Sequence, residues 1–157
     1  MLINCKKEGF GMFKKILVPI DGSDFAWRAL ECALEVGKKF ESELIFAYVI
    51  YPMASYGTWE MQGVEETFTS VNRELEKFAG GLLNEAKKKA AGYPHKVSTA
   101  IRTGNPAQQI LELADSEKCD GIVLGSRGLN KFTELVVGST TYNVVQYAKV
   151  PVITARN

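Results

Sequence analysis

The sequence predicts an α/β fold, a five-stranded parallel sheet with helices on both faces. Two observations carry that expectation. Short apolar runs rich in β-branched residues alternate with amphipathic segments of helical period along the whole chain. The turns after those runs are built from Asp-Gly-Ser, Gly-Asn-Pro and Gly-Ser, which close a strand and open a helix. Strict β-α alternation requires parallel strands joined by covering helices, and right-handed crossovers leave few arrangements. A Rossmann-like or flavodoxin-like three-layer α/β/α sandwich is the leading one.

Taken in order, residues 1–11 are polar and aperiodic and read as a mobile N-terminal extension to a single domain over 12–157. Lys15 to Ile20 (KILVPI) is a short buried strand that Pro19 brings to a close. Asp21-Gly22-Ser23 turns the chain into a helix over 24–39, with Ala26, Ala29, Leu30, Ala33 and Leu34 on its apolar stripe. Glu43 to Ile50 (ELIFAYVI) is a second buried strand, followed by a loop-like stretch over 51–66. Its Tyr51, Met53, Tyr56, Trp59 and Met61 suit either a lid or docking surface, or packing beneath the sheet.

A long helix over 65–91 ends at Gly92 and Pro94, and Lys96 to Ile101 forms a third strand. Asn105-Pro106 is a strong helix start, an N-cap acceptor followed by proline in the first helical position. Gly121 to Leu124 is a fourth strand, 139–147 a last helix, and Val150 to Thr154 a fifth strand.

Composition excludes several function classes. With 19 basic and 18 acidic residues the net charge is +1, and the basic residues are scattered, so nothing favours nucleic acid. Lys87-Lys88-Lys89 lies in an amphipathic helical pattern and reads as a solvated face. Cys5, Cys32 and Cys119 are odd in number and far apart, and His95 is the only histidine, so no zinc spacing exists. Cys32 and Cys119 fall in apolar patterns and are expected to be small core residues. A reducing cytoplasm fits this usage, and no apolar run reaches the 18 or so residues of a membrane span.

The chemistry concentrates in Gly125-Ser126-Arg127-Gly128, nine intervening residues, and Gly138-Ser139-Thr140. Glycines at a strand end let a backbone approach a ligand closely, and the Gly-Ser-Thr opens a helix whose free N–H groups and hydroxyls can hold an anion. Either half alone would be an ordinary turn or N-cap; both in one βα unit point to a phosphate cradle. Arg127 and Lys131 either neutralise outer phosphates or are solvated loop cations. Asp21 sits on the same rim, either as a Mg²⁺ ligand shared with phosphate or as an Asx-turn with Ser23 capping the next helix. The Walker A run and the Gly-x-Gly-x-x-Gly fingerprint are both absent, and a lone His95 supports no Ser/His/Asp set.

From Met12 onward the chain resembles the universal stress protein family. Gly125, Gly128, Gly138 and Ser139 match the Gly-x2-Gly-x9-Gly-Ser/Thr pattern of its ATP-binding branch. Ile16 to Ser23, Gly104-Asn105-Pro106-Ala107, Ile122 to Gly128 and Val150-Pro151-Val152 are similar to further family segments in the same order. The resemblance implies ATP; the residues alone do not separate ATP from ADP or AMP, and Mg²⁺ is expected with the nucleotide because a carboxylate at Asp21 faces phosphate only through a cation. It implies a site of Pro19, Ile20, Asp21 and Ser23 at the first strand, with Val49 at the second. Leu124, Gly125, Ser126, Arg127 and Gly128 would follow the fourth strand, and Gly138, Ser139, Thr140 and Thr141 would open the last helix. It implies a homodimer paired through 150–154.

The expected function is therefore an ATP-binding, dimeric regulatory or stress-response module acting on an unidentified protein partner. A slow metal-dependent ATP hydrolase and a nucleotide-free scaffold are the alternatives. No residue is an obvious base to activate water, which sets the hydrolase behind the switch.

Overall fold

In the computed structural model, which describes residues 12–52, 64–127 and 137–156, strands and helices alternate without exception. The order is β1 (Lys15–Pro19), α1 (Asp24–Phe40), β2 (Glu43–Ile50), α2 (Val64–Lys89), β3 (Val97–Thr103), α3 (Pro106–Ser116), β4 (Gly121–Gly125), α4 (Ser139–Tyr147) and β5 (Val152–Ala155). The extension 1–11 with Cys5, the aromatic and Met positions 53–61, Gly128 and Lys131 lie outside the described residues.

All pairings are parallel, in the order β3-β2-β1-β4-β5. This is the Rossmann order, with β1 and β4 side by side at the reversal, rather than the flavodoxin order. Alternating strand residues feed two cores. Ile16, Val18 and Phe46 face α1 and α2, meeting Leu30, Ala33, Leu83 and Ala86. Leu17, Ile45, Ile122 and Leu124 face α3 and α4, meeting Ile110, Leu113 and Val144. Every residue of β4 is buried, as expected of a central parallel strand covered on both faces.

Local chemistry sets the element ends. Ser23 caps α1, its Oγ accepting from the Ala26 N–H at 3.1 Å, and Glu41 closes the helix in the left-handed conformation at φ 57°. Asn105 caps α3 by accepting from the Gln108 N–H, with Pro106 in the first turn. At the opposite rim the Asp120 carboxylate accepts from the backbone N–H groups of Lys14 and Lys15, both at 2.8 Å, stapling the starts of β1 and β4.

Most element boundaries differ from the sequence expectation by a residue or two, and three of these differences bear on the sheet and its connections. The last strand begins at Val152, because Pro151 has no N–H to give the ladder. The third extends to Thr103, held by its pairing with β2 from Leu44 to Ile50. Helix α2 starts at Val64, so the connecting stretch is shorter than 51–66. Cys119 is buried but Cys32 is only partly so. No helix among the described residues is long and apolar enough to cross a membrane.

Gly125 shows why β4 must end in glycine. A Cβ there would lie 2.8 Å from the carbonyl carbon of Phe25 and 2.9 Å from its oxygen, atoms of the α1 backbone that cannot swing aside. Gly125→Ala is expected to cost about 1–3 kcal/mol by overpacking, read from the midpoint of urea unfolding. Gly80→Ala in α2, where a Cβ meets nothing within 4 Å, is the matched control and should be neutral or stabilising.

Burial pushes the Cys119 thiol up to about 11 from 9.0. Between those pH values the folded protein keeps a proton that the unfolded chain releases, so stability falls as pH rises through the window. Cys119→Val has no such proton, and its denaturation midpoint should decline less steeply from pH 9 to 11.

Candidate functional site

The two central strands β1 and β4 send their crossovers to opposite faces of the sheet, which opens a crevice beyond their carboxyl ends. A cavity of about 300 Å³ lies there. Pro19, Ile20 and Asp21 form its β1 wall and Val49 its β2 wall. Leu124, Gly125 and Arg127 come from the end of β4, and Gly138, Ser139, Thr140 and Thr141 from the start of α4. Residues separated by more than a hundred positions in sequence thus meet at one rim.

Ser23 and Ser126 are not on the cavity wall. Ser23 is 6% exposed and spends its hydroxyl locally, donating to Asp21 Oδ1 at 2.6 Å while accepting from Ala26. The Ser23 N–H also reaches Asp21 Oδ1, at 2.9 Å, so Asp21 closes an Asx-turn and still lines the cavity. Ser126 is buried and works through its main chain, donating to the Ala155 carbonyl at 2.8 Å and accepting from the Gly138 N–H at 3.0 Å.

The wall also includes Ala26, Ala47 and Tyr48, and Pro106 and Ile110 of α3. Sequence reasoning placed Pro106 at a helix start and Ile110 on a buried face without bringing either to the site. The signal was available, since Asn105-Pro106 follows a strand end and every strand end of a parallel sheet lies on the same rim. Burial, with Asp21 nearby, raises the Tyr48 hydroxyl above its ordinary pKa, which keeps it neutral.

Two polar features distinguish this wall. The first is α4. Helices α1 and α3 are capped by Ser23 and Asn105, but the N-cap of α4 is Gly138, which has no side chain to cap with. The first helical bond of α4 is Tyr142 N–H to the Gly138 carbonyl. Among the described residues, the N–H groups of Ser139, Thr140 and Thr141 have no acceptor. A helix start of this kind favours an anion.

The second is β2, which outruns β1. The β1–β2 register ends at Pro19 and Ala47, while β2 continues to Ile50. Ala47 presents its carbonyl to the β1 side, receiving the Ile20 N–H at 2.7 Å, and Ile50 presents its own to Gly104 beyond β3. Strand alternation turns the Val49 N–H and C=O to the β1 side, where no described residue bonds them.

Thr141 joins the turns together. It is 3% exposed, and its Oγ1 donates to the Gly125 carbonyl at 2.8 Å. Replacing it with Val leaves that buried carbonyl unpaired and should cost about 1–3 kcal/mol in urea unfolding. Thr141→Ser, which keeps the hydroxyl, should recover most of the loss.

A doubly wound α/β protein with a cavity at its strand-order reversal, part apolar and part bare helix start, belongs to the small-molecule-binding type of this architecture. Comparison with known proteins narrows the class: the chain belongs to the universal stress protein family, whose model matches residues 12–156. It is 34% identical over 149 residues to the universal stress protein YxiE of Bacillus subtilis, covering 92% of this chain and 100% of that one. Its fold is similar to that of universal stress protein UspA from Lactobacillus plantarum, with TM-score 0.81, 27% identity and coverage of 92% and 99%. It is also similar in fold to an Arabidopsis thaliana protein of the family with AMP bound, with TM-score 0.66, 22% identity and coverage of 92% of each chain.

Proposed function

We propose that this protein binds an adenine nucleotide, ATP in the first instance, and acts as a nucleotide-dependent regulatory module in a stress response. The observation that carries the reading is the uncapped start of α4 on the wall of the cavity. Three N–H groups, two hydroxyls and the helix dipole all favour a phosphate there, and none of them has a protein acceptor among the described residues. A bound phosphate would supply the cap that Gly138 lacks.

The rest of the wall suits a nucleoside. Pro19, Ile20, Ala47, Ile110 and Leu124 are apolar and flank the open Val49 main chain. One N–H beside one C=O complements a base that carries an acceptor next to a donor, as adenine does at N1 and N6. A protein of this fold that holds AMP makes adenine nucleotides the ligand class to test first.

Asp21 can serve Mg²⁺ arriving with the nucleotide. Its Oδ1 already accepts twice from Ser23, so its Oδ2 would be the ligand, with phosphates and water supplying the other oxygens. A homodimer through β5 belongs to the same proposal. β5 is an edge strand, and the adjoining helix α4 leaves Tyr142, Val145 and Tyr147 exposed.

Calorimetry of the purified protein with ATP and Mg²⁺ tests the reading, alongside extraction of bound small molecules and their identification by mass. Saturable binding is expected, and Ser139→Ala should weaken it by about 1 kcal/mol, the net worth of one hydrogen bond. An extract without nucleotide, together with no heat of binding for ATP, ADP or AMP, would sink it.

A further inference from the structure

We infer that Arg127 sets this site's preference for nucleotides with more than one phosphate, an inference that rests on the nucleotide reading above. Arg127 follows the end of β4 and lines the cavity, between the capped start of α1 and the uncapped start of α4. Its guanidinium stands 6.0 Å from the centroid of the Phe25 ring, within cation–π range. Phe25 is itself fixed, because its backbone is packed against Gly125 at a distance that excludes a Cβ. The guanidinium is therefore held by a chain of contacts that begins at the strand end, rather than by a flexible stem alone.

A contact with the ring face uses none of the five guanidinium N–H donors, and no hydrogen bond from them is made to the described residues. No carboxylate among the described residues forms an ion pair with it. Asp21, the carboxylate on the wall, is engaged by Ser23 instead. A planar cation whose donors are open among the described residues, pre-positioned on a cavity wall beside the uncapped start of α4, fits a second phosphate. The α4 N–H groups already serve the first one. The contribution of Arg127 then grows with the phosphate count, whereas a solvated loop cation would contribute little to any ligand.

The test is calorimetric titration of the wild-type protein, Arg127→Gln and Phe25→Leu with adenosine, AMP, ADP and ATP, at one fixed Mg²⁺ and salt concentration. Arg127→Gln should leave adenosine affinity within about twofold and weaken ATP by about ten- to a hundredfold, with AMP least affected of the nucleotides. Phe25→Leu, which keeps the cation and removes its platform, should give a smaller loss in the same order. Thermal unfolding of ligand-free Arg127→Gln should match the wild type. Equal losses for all four ligands, or no loss for any, would overturn the inference while the nucleotide reading stands. A wild-type protein that binds none of the four overturns both.

Discussion

The close approach of α1 to the end of β4 is the constraint from which the site follows. Gly125 has no side chain, and the space one would need is filled by the backbone of Phe25. That contact sets where α1 begins, and so where the Asp21-Gly22-Ser23 turn lies on the rim. It leaves the Gly125 carbonyl to be met from the other face by Thr141, which fixes the first turn of α4. The cavity is the space between two helix starts, each registered against one residue of the central strand.

Among the helices that open on this rim, α1, α3 and α4 are not equivalent. α1 and α3 carry their own side-chain caps, so their first turns are satisfied within the fold. α4 begins with glycine and exposes its donors. That asymmetry separates a structural helix end from one available to a ligand, and it lies where the sheet order reverses. The apolar lining supplies area without direction; the bare amides and the open edge of β2 supply direction.

Much of this was legible in the sequence because it is local. The run Glu43–Ile50 was readable to the residue, since seven apolar residues follow Glu43 without a break and Pro52 closes the stretch soon after. Asn105-Pro106 announced α3 through the chemistry of a cap. Strand order was not legible, because periodicity says which segments are strands and nothing about which neighbour each one takes. The same limit hid Pro106 and Ile110 from the site, and it obscured the reason for Gly125. A glycine at a strand end reads as room for a ligand; here the room is taken on one side by Phe25, from a hundred positions earlier. Ser23 and Ser126 sit in the motif and the turn, yet their polar groups are committed to the protein itself.

The hydrogen bond from Gly138 N–H to the Ser126 carbonyl has an evolutionary consequence. It brings the point where the chain leaves the site and the point where it returns to within 3.0 Å of each other. The fold therefore pins both ends of the intervening segment independently of what lies between them. Closing such a segment depends only weakly on its length, about 0.6 kcal/mol for each doubling. By that measure a change of length between those two residues is cheap for the fold. The nine-residue spacing from Gly128 to Gly138 is then a demand of the proposed site and not of the fold.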